Sequence, residues 1–80
     1  MNGAPTPPPY RLHFLTDAWV WEQDIDAATA AEATAMARDA LEVVVQEERP
    51  ELACVTVMQG DRKLGVWDRI ADQYVWTDGP

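Results

Sequence analysis

Thr29-Ala30-Ala31-Glu32 is the feature that most limits what this 80-residue chain can become. A threonine followed three residues later by glutamate makes a capping box. The hydroxyl accepts from the amide three residues on, and the carboxylate reaches back to a free backbone donor. Asp24 and Asp26 lie just upstream, where negative charge suits a helix N-terminus. Beyond the box, Ala30, Ala33, Met36, Ala37, Ala40, Leu41 and Val44 recur at helical spacing and form one apolar stripe. Glu32, Asp39, Glu42 and Gln46 fall away from it. Pro50 disfavours helical geometry at Arg49 and ends the run, so the spacing predicts a helix over about 30–47.

The sequence on either side of that helix alternates with a period of two. Tyr10, Leu12 and Phe14 share one face of a strand, and Arg11, His13 and Leu15 the other. After Thr16-Asp17-Ala18, Trp19 to Ile25 alternates again. The two segments read as an antiparallel hairpin, a single long bent strand being the competing reading. Downstream, Leu52 to Met58 is β-rich and apolar on both faces, as a central strand requires. Gln59 to Lys63 is a polar turn, Leu64 to Ile70 returns as a strand, and Gln73 to Thr77 supplies a short fifth strand at an edge. The expectation is an α+β domain of order ββαββ with that optional fifth strand, an antiparallel sheet carrying one helix on one face. It spans residues 10–77, after a proline-rich extended arm at 1–9 and before a short tail at 78–80. A chain this short buries roughly 60% of its unfolded surface, enough for one core and not two.

Charge and chemistry narrow the function. Fourteen acidic residues against six basic ones give a net charge of −8. Between Asp17 and Glu51 stand ten acids and two bases, so that segment carries the whole imbalance. Such a field repels phosphate backbones and disfavours direct nucleic-acid binding, while it attracts a basic protein surface. Serine is absent, and histidine, cysteine and lysine occur once each. A Ser-His-Asp arrangement is therefore impossible. A Cys54–His13 pair would need both on one sheet face, with a thiol that its apolar run keeps protonated. Asp24 and Asp26 lack the glycine and later glutamate of a calcium loop. No glycine-rich phosphate loop exists, the glycines standing alone at 3, 60, 65 and 79. The reading is a chain that is not an enzyme and takes no metal or cofactor. No apolar stretch approaches the ~20 residues of a membrane span, and one unpaired cysteine fits a reducing, cytoplasmic setting.

Trp19, Trp21, Trp67 and Trp76 are a heavy aromatic load for 80 residues. One helix covers one sheet face, and the strands are apolar on both. Aromatic surface is therefore expected on the open face as interface anchors. The open face, or an edge strand, also suits a homodimer.

The run from Asp24 to Ala33 resembles the strand-to-helix junction of many small phage and actinobacterial proteins. In these, a hairpin passes through an alanine-containing turn into a helix capped by Ser/Thr with Glu three residues on. The similarity covers residues 10–48 and carries no catalytic or binding residue across. The group includes anti-CRISPR proteins and other inhibitors of host defence. The resemblance implies a small protein in the host cytoplasm that occludes a larger complex, often at a basic nucleic-acid channel. The expected function is a non-enzymatic protein-binding module whose partner has a basic surface, with no membrane contact. Glu32, Asp39, Glu42 and Glu47 would meet that surface, and Trp19, Trp21 and Trp67 would anchor it. The alternative is a structural or assembly subunit, such as a minor virion component, docked by its proline arm.

Overall fold

A computed structural model describes residues 8–79. The arm reading, and with it the arm-docked alternative, falls almost wholly on residues outside that range. Five antiparallel strands and one helix follow the order β1 (Tyr10–Thr16), β2 (Val20–Ile25), α1 (Ala30–Glu48), β3 (Ala53–Gln59), β4 (Arg62–Ile70) and β5 (Gln73–Asp78). They form a single sheet ordered β2-β1-β3-β4-β5, which bears out the α+β reading with its fifth strand and puts β3 at the centre.

The capping box forms with one displacement. Thr29 Oγ1 accepts from the Glu32 amide at 3.1 Å, but the Glu32 carboxylate reaches past Thr29 to the Ala28 amide at 3.0 Å. At the other end Arg49 takes a left-handed conformation (φ 50°), and its N–H caps the Val45 carbonyl. The helix side buried on the sheet is Ala33, Ala37, Leu41 and Val45. Small residues in the first half let α1 approach closely, and Leu41 and Val45 fill the wider second half. Beneath them lie Leu12 and Phe14 of β1 and Ala53, Val55 and Val57 of β3, all buried. Each large aliphatic or aromatic side chain so removed from water contributes about 1.5–3 kcal/mol.

Register extends this face to the edges of the sheet. Phe14 is opposite Val55 on one side and Trp21 on the other, and Val55 is opposite Trp67, which is opposite Trp76. Because opposed residues share a face, all three tryptophans lie on the helix side, against the expectation of aromatics on the open face. Trp21 stacks on Phe14 (ring centroids 4.7 Å apart, planes at 9°). Trp67 donates its indole N–H to the Thr34 carbonyl at 2.9 Å, tying the sheet to α1. These rings widen the core at the flanks of a helix too narrow to cover five strands.

The β1–β2 connection is a hairpin organised by Thr16, a nearly buried polar residue. Its hydroxyl accepts from the amides of Ala18 and Trp19, both at 3.1 Å, and donates to the Trp19 carbonyl at 3.3 Å. Thr16→Val keeps the shape and strands both amides, so it is expected to cost about 1–3 kcal/mol in urea unfolding, with Thr16→Ser largely restoring stability. A valine variant as stable as the parent would show that water satisfies the turn. The β3–β4 turn is tighter than the sequence suggested. Gln59 pairs with Arg62 around Gly60 and Asp61, with Gly60 at φ 60°, and a bulge after Val57 absorbs the extra residue.

Candidate functional site

Two surfaces remain after the core is assigned: the outer side of α1 and the sheet face that α1 leaves open. On α1, Asp39 follows Glu32 by seven residues and so shares its outward row, and Gln46 extends that row by seven more. Glu32 is exposed, but its carboxylate is occupied by the Ala28 amide. Asp39 and Glu47 are exposed and Glu42 is half-buried at the flank. Asp39 has only a long ion pair to Arg38 at 3.9 Å, and no ion pair among the described residues engages Glu42 or Glu47. Arg38, the only base within α1, lays its guanidinium over the Tyr74 ring, 4.8 Å from the centroid, at the far edge of the sheet. The negative field of the helix is thus left largely uncompensated on its outer side.

Val43 sits among these acids, four residues from both Asp39 and Glu47, and half of its surface is exposed. The sequence reading missed it. The available signal was a β-branched apolar residue off the predicted stripe. An apolar centre within a charged rim is the ordinary composition of a protein interface.

The predicted aromatic anchors part company. Trp21 and Trp67 are half-buried on the helix face and committed to Phe14 and Thr34. Trp19 alone is widely exposed, at 56%. It stands in the β1–β2 turn, its ring 5.6 Å from Trp21, and donates its indole N–H to Glu48 Oε1 at 2.8 Å. That bond joins the turn to the C-terminal end of α1; Glu48 follows buried Leu41 by seven residues, so the contact lies at the sheet-facing end of the helix and not on its outer row. Glu48 was absent from the expected contact residues; only the fold brings it 29 positions back to Trp19.

The open sheet face is aliphatic and charged instead of aromatic. Leu15, Val20, Ile70 and Val75 are exposed along one end, with half-buried Cys54 between Leu15 and Asp68. At the other end Arg11 Nε bonds Asp24 at 2.7 Å, and Glu22 Oε1 lies 3.3 Å from Arg11 and 3.2 Å from His13 Nε2. Asp24, weighed above as a cap or metal ligand, is therefore an ion-pair partner, and it raises the Arg11 guanidinium's pKa above its ordinary value. Among the described residues no group of three or more His, Cys, Asp or Glu side chains is placed to hold a metal ion. Arg69 is held by Asp72 at 2.7 Å.

Cys54 and His13 do share this face, diagonally on adjacent strands, two residues apart in register. Burial pushes the Cys54 thiol up, and the Asp68 carboxylate opposite it adds to the shift. A raised folded value favours the neutral thiol, so its contribution to stability holds below the thiol's ordinary pKa and is lost as pH rises above it. Alkylation at about pH 8 is accordingly expected to run severalfold slower in the folded chain than in urea, with Asp68→Asn modestly faster than the parent. A folded rate equal to the unfolded one would mean an activated thiol.

No described helix is long and apolar enough to cross a membrane. No protein-family model, curated protein or solved structure matches the chain.

Proposed function

We propose that this chain is a non-enzymatic protein-binding module that docks the outer side of α1 on a basic protein surface. Within that class the resemblance of its strand–helix junction favours a phage-type inhibitor or modulator of a nucleic-acid-handling or defence complex. The observation that carries the reading is Asp39, Glu42 and Glu47 disposed around exposed Val43, with the one helical base turned away onto Tyr74. Acidic residues on a rigid helix steer encounter with a basic groove and mimic the charge of the phosphates such a groove holds. Val43 supplies the apolar anchor that charge alone does not, and exposed Trp19 borders the C-terminal end of the helix.

The test is capture of binding partners from lysate on the immobilised chain, with washes at low salt and at about 0.5 M, followed by competition with DNA or RNA. Charge-led docking predicts a basic partner that is retained at low salt, lost at high salt and displaced by nucleic acid. A partner that nucleic acid does not displace would sink the occlusion reading. A partner indifferent to salt would sink the electrostatic one.

A further inference from the structure

Among the described residues β5 forms one open edge of the sheet, and its Gln73–Thr77 stretch reads nearly the same in both directions. The two-residue turn at Ala71–Asp72 makes Ile70 and Gln73 an opposed pair, and the Gly79 N–H donates to the Leu64 carbonyl at 2.9 Å. With a period of two, the odd-numbered residues of β5 turn their backbone groups toward β4. Tyr74, Trp76 and Asp78 then present theirs to the open edge. Around Val75 the side chains run Gln73-Tyr74-Val75-Trp76-Thr77: polar, aromatic, aliphatic, aromatic, polar. The segment holds no charge, no proline and no lysine, the devices by which edge strands are kept from pairing.

We propose that β5 pairs antiparallel with β5 of a second copy, about a two-fold axis through Val75. In that register Tyr74 is opposite Trp76 of the second copy, and the same pairing recurs across the axis. Both residues have outward backbone groups, so each pair exchanges two hydrogen bonds. Val75 then faces its own counterpart in the closely spaced, non-hydrogen-bonded position, about 4.5 Å between Cα atoms. Gln73 meets Thr77. Tyr74 and Trp76, half-buried on the helix side, gain an aromatic neighbour across the interface. Opposed residues share a face, so the two five-stranded sheets become continuous and both helices lie on the same side. A slip of one residue would oppose Val75 to Trp76 and turn one helix to the other side.

Charge selects this edge over the other. The Thr16 N–H donates to the Trp19 carbonyl, so on β2 the outward backbone groups are those of Val20, Glu22 and Asp24. Pairing two copies there would set acids against acids, which is destabilising. On β5 the only acids so opposed are Asp78 and Asp72 of the second copy, at the ends of the pairing, where Asp72 lies in the turn and its carboxylate is held by Arg69 at 2.7 Å. The two helices sit over β3, with four strands between their centres. At about 4.8 Å per strand the acidic surfaces stay more than two Debye lengths apart at physiological salt.

Sedimentation of the full chain over a concentration series tests the pairing. The mass is expected to rise from 9.0 kDa toward twice that value, with a dissociation constant of about 10 μM for so small an interface. Val75→Lys gives the new ammonium an in-chain partner in Asp68, directly opposite, and so preserves the fold. Across the axis it opposes two like charges, and at least a tenfold weaker association is expected. Val75→Glu should also be weaker, and an equimolar mixture of the two variants should associate at least tenfold more tightly than either alone. Thermal melts confirm that both are folded. A chain monomeric up to about 1 mM overturns the proposal. So does a mixture no tighter than its components, because only the β5 pairing places position 75 against itself.

Discussion

Gly65→Ala is expected to destabilise the fold by about 3 kcal/mol, although it adds a single methyl group. Gly65 is buried in β4 beneath the Trp76 indole. A Cβ there would overlap Trp76 Cζ2 and lie 2.6 Å from its Cη2 and 2.7 Å from the Thr77 carbonyl oxygen. The ring could swing aside, but the carbonyl belongs to the neighbouring strand and moves only if β4 and β5 separate. The ring is not free either: it tilts against Trp67 at 5.3 Å, and Trp67 is tied to α1 through Thr34. Against a total stability of roughly 4–12 kcal/mol for 80 residues, the loss is large. It should appear as a fall in Tm of about 15 °C. In a Trp76→Ala background the same substitution should cost at least 1 kcal/mol less, leaving only the carbonyl clash. Equal costs in the two backgrounds would show that the indole does not depend on the glycine.

Those particulars show which parts of the fold are legible in residues and which are not. The helix was legible because its signals are local: Thr29 and Glu32 three apart, alanines at turn spacing, and Pro50 at the end. Strand existence was legible from alternation for the same reason. The direction of each strand face was not. Trp21 and Trp67 each follow an apolar neighbour that faces the opposite way, and only the pairings of Phe14 with Trp21 and Val55, and of Val55 with Trp67, decide that they lie on the helix side. The β4–β5 turn was equally mute. Ala71 and Asp72 take positive φ (51° and 66°) with neither the glycine nor the asparagine that usually marks such a turn, so β5 was an option and no more. Of the candidate surface, the acids on α1 followed from helical spacing. The exposure of Val43 was also open to that reading, as an apolar residue off the stripe, but the Trp19–Glu48 bond depended on how the hairpin turn meets the helix end, which no short stretch of sequence encodes.

The acidic surface makes the second large prediction. Asp39→Lys, Glu42→Lys and Glu47→Lys together add six charge units, moving the net charge from −8 to −2 and reversing the sign of the outer helix face. None of the three is in the buried row of Ala33, Ala37, Leu41 and Val45, so the fold should persist and far-UV circular dichroism should be unchanged. Against a basic partner, affinity at low salt is expected to fall about 100- to 1000-fold, mainly through a slower association rate, because steering acts before contact. At about 0.5 M salt, where screening shortens the field to a few ångströms, the gap between parent and variant should shrink to tenfold or less. Val43→Asp separates anchoring from steering: it keeps the field negative but removes the apolar centre, so it should raise the dissociation rate and leave association nearly unchanged. If the triple variant is folded and binds the captured partner as well as the parent at low salt, the acids serve solubility. The contact must then be sought on the aliphatic open face around Leu15, Val20 and Ile70.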